Sequence, residues 1–225
     1  MFGAALLAPA AAHADPLRVA APSRAHGAIV ARLLTPTFAR PRLASARRAW
    51  RVDAATSWSR HAQALLVLGA ATYRGREWVK VLLAKRPNGS AGWIPRDRVV
   101  LTRTGYWIEV RKRARRVTVY RDGRRLRGMR AVLGAPSTPT PVGLAAVYER
   151  NRQPDPRGAF GPWVLALTSL SDVLRSFGGG PGRIAIHGGG RAGSAGSHGC
   201  IRVGDDDVSW LAARIPAGTP VDVRP

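Results

Sequence analysis

Past the first quarter of the chain, apolar positions recur every second residue, in short runs broken by turn residues. Ala64 to Leu68 is apolar and ends at Gly69, and Glu77-Trp78-Val79-Lys80-Val81-Leu82 alternates as a half-buried strand does. Arg86-Pro87-Asn88-Gly89 carries the Asn-Gly hairpin signal, after which Gly92-Trp93-Ile94-Pro95 and Val99-Val100-Leu101 read as further short strands. A second β-rich stretch opens at Tyr106. Tyr106 to Val110, Arg116 to Tyr120 and Met129 to Gly134 each fit a strand, with a turn at Asp122-Gly123. The Pro-rich run from Pro136 to Gly143 is a rigid connection incompatible with helix. Strand patterns resume at Val142 to Tyr148, Val164 to Leu167, Ile184 to Ile186 and Thr219 to Val223. Asp205 to Arg214 has helical spacing instead: Val208, Leu211 and Ala212 share a face, Asp205 to Asp207 fill the first turn, and Pro216 follows the end. The pattern predicts a mainly β protein with one or two short helices and no internal repeat.

Residues 15–60 lack this periodicity and are dominated by Pro, Ala and Arg; they read as a leader or linker, partly folded into the next module. In residues 1–14 a small, apolar run ends in the A-x-A pattern Ala12-His13-Ala14, which predicts a signal peptide cleaved after Ala14, without the usual basic residues ahead of it. A secreted, extracytoplasmic protein is therefore expected. No later run reaches the ~18 apolar residues that cross a bilayer, so no transmembrane segment is expected.

A chain of 225 residues, 45% apolar, has the material for one or two domains with a real core. The formal net charge is +23, and all the cations except Lys80, Lys85 and Lys112 are Arg. Such a charge favours polyanions. The Arg residues are spread along the chain rather than gathered in one stripe, which argues against a dedicated nucleic-acid site and leaves anionic wall polymer or membrane as partners. Cys200 is the only cysteine, so an intrachain disulfide and a multi-cysteine zinc site are excluded. It is either a buried small hydrophobe or a reactive thiol.

Its neighbours favour the second reading. An apolar strand ends at His187, a Gly-rich loop follows, and Ser197-His198-Gly199-Cys200-Ile201-Arg202 closes the loop. A free thiol with a pKa of about 8.5 is mostly protonated at neutral pH, so a nucleophilic cysteine needs a base close by. The flexible loop, with Gly188, Gly189, Gly190, Gly193 and Gly196, lets His187 and Cys200 meet. Gly199 permits close approach of a substrate backbone and lets successive N–H groups converge on one point, as an oxyanion hole requires.

The His followed by SHGCIR resembles the signature of the L,D-transpeptidase catalytic domain, and RRVTVYRDGRRL followed by TPTPVG resembles that family's opening strands; together they cover about Gly105 to Val223. The resemblance implies a β-sandwich catalytic domain over residues 105–224. It implies Cys200 as nucleophile, His187 as general base, and an oxyanion hole from the N–H groups of His198, Gly199 and Cys200. Ser197 and His198 shape the site, Gly188 orients the imidazole through its carbonyl, and Arg202 holds substrate or fixes the loop. The loop between His187 and Cys200 is short for the family. Upstream, WVKVLLAKRPNGSAGWIPRDRV resembles the closing half of bacterial Src-homology-3-like domains, which implies a small β-barrel over residues 61–103.

The implied reaction is peptidoglycan cross-linking. Cys200 attacks a stem tetrapeptide to give a thioester, and a neighbouring stem amine resolves it, without metal or cofactor. An L,D-carboxypeptidase or hydrolase would use the same acyl-enzyme. A catalytically idle wall-binding protein, an inert buried Cys200, and a zinc site from His187, His198 and Cys200 are the other readings; the zinc site has poor ligand spacing and no obvious fourth ligand.

Overall fold

The computed structural model describes residues 18–45, 50–189 and 196–225. The expected signal peptide and the loop glycines Gly190 and Gly193 lie outside the described residues.

The N-terminal part is a five-stranded antiparallel sheet. Its strands are β1 (Ala28–Leu33), β4 (Ala64–Tyr73), β5 (Arg76–Leu82), β6 (Ala91–Pro95) and β7 (Val99–Thr104), in the order β6-β5-β4-β1-β7. A two-stranded ribbon, β2 (Thr37–Ala39) and β3 (Trp50–Val52), lies beside it, tied to β6 through Arg40 and Trp93. The stretch read as a leader or linker thus supplies β1, an inner strand that pairs with both β4 and the edge strand β7. Its apolar positions are few because a short inner strand needs only a handful: Val30, Ala31 and Leu33 are all buried. Alternation along β4 explains how the sheet joins the rest of the protein. Leu65 and Val67 enter one core with Val79, Val81 and Ile94, while Leu66, on the opposite face, packs with Leu82 and with Ala146 of the following module.

That module is one hydrogen-bonded sheet of eight strands: β8 (Tyr106–Arg111), β9 (Arg116–Arg121), β10 (Arg124–Arg130), β11 (Gly143–Arg152), β12 (Trp163–Leu170), β13 (Arg183–His187), β14 (Ile201–Arg202) and β15 (Pro220–Arg224). The order is β10-β9-β8-β15-β11-β12-β13-β14, so the last strand is inserted between β8, to which it is parallel, and β11. Asp122 and Gly123, both at positive φ, form the tight turn between β9 and β10. The sheet curls on itself, and residues from both halves (Ile108 and Val119, Leu165 and Ile186) share a single core. The one α-helix among the described residues, α1 (Asp205–Arg214), buries Val208, Leu211 and Ala212 against it and lies over β12 and β13. The mainly β architecture with a short helix agrees with the expectation. No described helix is long and apolar enough to cross a membrane.

The strand expected from Met129 to Gly134 is different. Pairing with β9 stops at Arg130 because Arg116, its partner, begins β9. The chain then crosses to the other edge of the module, where Val132 bridges Arg202 and Gly134 bridges Ser197.

Candidate active site

Parallel pairing of β13 with β14 places the sequence-distant candidates together. Ile186 pairs with Ile201 and His187 with Arg202, so Cys200 enters the sheet edge one residue before its β14 partner of Ile186. The apolar residues Ile184, Ile186 and Ile201 are buried and anchor both strands in the core, which fixes the polar residues at their ends. His187, Cys200, Ser197, His198 and Arg202 all line one small cavity of about 110 Å³, walled on the other side by Phe160, Leu174 and Phe177.

His187 is almost fully buried. Its Nδ1 lies 2.7 Å from the carbonyl oxygen of Gly188. A carbonyl only accepts, so the proton sits on Nδ1 and the lone pair is left on Nε2. Burial is the main influence on the ring and holds its pKa down at about 4; the Gly188 bond opposes this and the Arg202 charge adds to it. Phe160 packs edge-on against the imidazole, with ring centroids 5.2 Å apart. The Cys200 thiol is pushed up by burial, against smaller opposing effects of a backbone hydrogen bond at Ala185 and of Arg202. At neutral pH the pair is therefore a neutral imidazole and a protonated thiol.

The turn bearing Cys200 is held from inside and outside. Ser197 is buried, its hydroxyl donates to the Cys200 carbonyl, and it accepts the Gly199 N–H at 3.2 Å. Gly199 has φ +108, and a Cβ there would press on Ile184 Cδ1 at 3.1 Å, so the turn requires glycine. The N–H groups of His198 and Cys200 take no part in these bonds. Of the three N–H groups expected to converge, that of Gly199 already has an acceptor in Ser197 Oγ. His198 is exposed, its ring 5.9 Å from that of Phe177. Arg202 lines the cavity with its Nε buried and without an acceptor among the described residues.

Several supporting residues were not singled out by the sequence. Thr138 and Thr140, in the Pro-rich connection, donate their hydroxyls to the carbonyls of Ser197 (3.0 Å) and Gly199 (2.9 Å). Thr140 also accepts the Gly134 N–H. Asp205, read as a helix-start residue, accepts the Gly189 N–H at 2.8 Å. The Asn-Gly turn of the N-terminal sheet reaches the cavity wall: Arg86 donates to the carbonyls of Ser171, Leu174 and Pro181, and Asn88 both donates to and accepts from the Leu170 backbone. None of these residue types is unusual in a turn, so only the folded pairing reveals them. Among the described residues no three His, Cys, Asp or Glu side chains converge as a metal site would require.

Residues 105–223 match the family model YkuD, the L,D-transpeptidase catalytic domain. The chain is 33% identical over 123 residues to the protein YkuD of Bacillus licheniformis, covering 53% of this chain and 66% of the relative. It is 33% identical over 122 residues to YkuD of Bacillus subtilis, with the same coverage. The chain thus spans just under two thirds of the length of these relatives. Among solved structures, an L,D-transpeptidase from Mycobacterium smegmatis is 20% identical over 94% of this chain and 96% of that one, with a TM-score of 0.44, too low for the superposition to add to the family match. With a family match over more than half its length, this chain belongs to the YkuD family of L,D-transpeptidase catalytic domains.

Proposed function

We propose that this protein is a peptidoglycan L,D-transpeptidase that works through a thioester on Cys200. The observation that carries the reading is that Cys200 and His187 line one cavity, with the imidazole tied at Nδ1 so that its free lone pair is on Nε2. In the first half-reaction the thiol proton passes to His187 Nε2 and the sulfur attacks the carbonyl after the third residue of a stem tetrapeptide. The amide C–N bond breaks, the imidazolium returns its proton to the leaving D-alanine amine, and a thioester remains. In the second, an amine of a neighbouring stem attacks the thioester, its proton goes to His187, and the thiol is regenerated. The amide bond that is broken supplies the activation, so no ATP, metal or cofactor is needed.

The N–H groups of His198 and Cys200 are the donors available to the oxyanion, with Ser197 and Gly199 holding the turn that aims them. Arg202, whose Nε has no acceptor among the described residues, would bind a substrate carbonyl or carboxylate, and Gly188 would act through its carbonyl on His187. The five-stranded N-terminal sheet is read as a Src-homology-3-like module, and the basic surface as a contact for anionic wall polymer outside the cell. Incubation of purified protein with a defined tetrapeptide stem tests the reaction. Cross-linked dimer released together with D-alanine is the expected product. Tripeptide alone, even with acceptor amine present, would make it an L,D-carboxypeptidase.

A further inference from the structure

We propose that Asp205 is a positioning residue for the base, acting on His187 through the peptide unit that joins Gly188 to Gly189. The proposal rests on the reading of His187 as the base. The two ends of that one peptide unit are both engaged. Its carbonyl accepts from His187 Nδ1 at 2.7 Å, and its N–H donates to Asp205 Oδ1 at 2.8 Å. Asp205 stands at the first position of α1, whose burial of Val208 and Leu211 in the core sets where the carboxylate points.

A peptide flanked by two glycines has little intrinsic preference for one orientation over its flip. The flip matters here. It would replace the carbonyl facing Nδ1 by an N–H, which only donates, so the imidazole would have to present its lone pair at Nδ1 and carry its proton on Nε2. Such a ring cannot take the Cys200 proton through Nε2. Asp205 opposes the flip because its carboxylate accepts the Gly189 N–H and would repel a carbonyl in that place.

The surroundings are cut to admit the carboxylate. A Cβ at Gly188 or at Gly161 would fall against Asp205 Oδ1, so the side chain occupies the space these two glycines leave. An ordinary helix-start role accounts for less of this. Asp206 and Asp207 already supply negative charge to the first turn, and Gly204 rather than Asp205 is the N-cap. The carboxylate is exposed, so the effect is orientation more than field.

The test is the tautomer of His187, read from long-range proton–nitrogen spectra of the uniformly labelled full chain, together with the rate at which a carbapenem-type β-lactam acylates Cys200. Wild-type protein should show the proton on Nδ1. In Asp205→Ala the ring should move toward the Nε2–H form, and acylation should slow by about tenfold, in the rate constant rather than in the concentration giving half-saturation. Asp205→Asn, whose amide oxygen can still accept the Gly189 N–H, should restore both. If Asp205→Ala does not fold, Asp205→Ser, one bond shorter in reach, should give the same shift. An unchanged tautomer in the folded variant, or acylation at the wild-type rate, overturns the proposal. A wild-type protein that is never acylated would instead sink the reading of Cys200 as nucleophile, and the spectra would still decide the role of Asp205.

Discussion

The hydroxyl of Thr140 donates to the carbonyl of Gly199 at 2.9 Å, joining the Pro-rich connection to the residue before Cys200. The same oxygen accepts the Gly134 N–H, and Thr140 is almost fully buried. Thr140→Val keeps the shape and leaves the buried Gly199 carbonyl and the part-buried Gly134 N–H without this partner. A loss of about 1–3 kcal/mol in chemical denaturation is expected, with slower acylation of Cys200 as the turn loosens. Thr140→Ser should retain most of both.

His187 ties activity and stability to pH in a definite direction. Its folded pKa of about 4 lies below the ordinary value of 6.5 because burial disfavours the charged ring. The unfolded chain therefore takes up a proton at His187 first as the pH falls. The stability that the neutral ring contributes is present above pH 6.5 and is lost between there and about pH 4. The full effect is about 3 kcal/mol. Denaturation midpoints across this range should fall more steeply for wild type than for His187→Gln. The acid limb of Cys200 acylation should likewise lie near pH 4 rather than 6.5, since the base stays neutral down to that point.

The stretch from His187 to Arg202 was legible as a candidate site because its pattern is local. One loop and one six-residue run bring His187, Cys200 and their glycines to one cavity, and helix α1 follows from spacing over residues 205–214. What holds them is not local. Thr140 and Gly199 are 59 positions apart, and a threonine between prolines looks like any turn residue. β14 is two residues long, too short for alternation to show, yet it seats Cys200 beside β13. The strand expected to run on to Gly134 instead crosses to the turn bearing Cys200, a choice set by where β9 begins. In the N-terminal half the hairpins were readable and the inner position of β1, between β4 and β7, was not, because which strands become neighbours depends on the whole sheet.

The hairpin tip of the N-terminal sheet should matter to the chemistry although it bears none of it. Asn88 pairs with Leu170 through both its amide groups, and Arg86 gathers three carbonyls of residues 171–181, two of them, Ser171 and Leu174, from residues lining the Cys200 cavity. Asn88→Ala is expected to cost about 1–2 kcal/mol in stability. Arg86→Ala should raise the substrate concentration needed for half-maximal acylation, because the wall formed by Leu174 and Phe177 loses its support. Kinetics with intact thiol content, measured by titration, check that the nucleophile itself is untouched.

The central claim is that Cys200 forms an acyl-enzyme with His187 as its base. Intact-mass measurement after incubation with a carbapenem-type β-lactam tests it most directly. A single adduct with the full mass of the compound, mapped by peptide digestion to Cys200, absent in Cys200→Ala and strongly slowed in His187→Ala, is the predicted result. An unchanged mass in the wild-type protein, or an adduct that persists in Cys200→Ala, would contradict it.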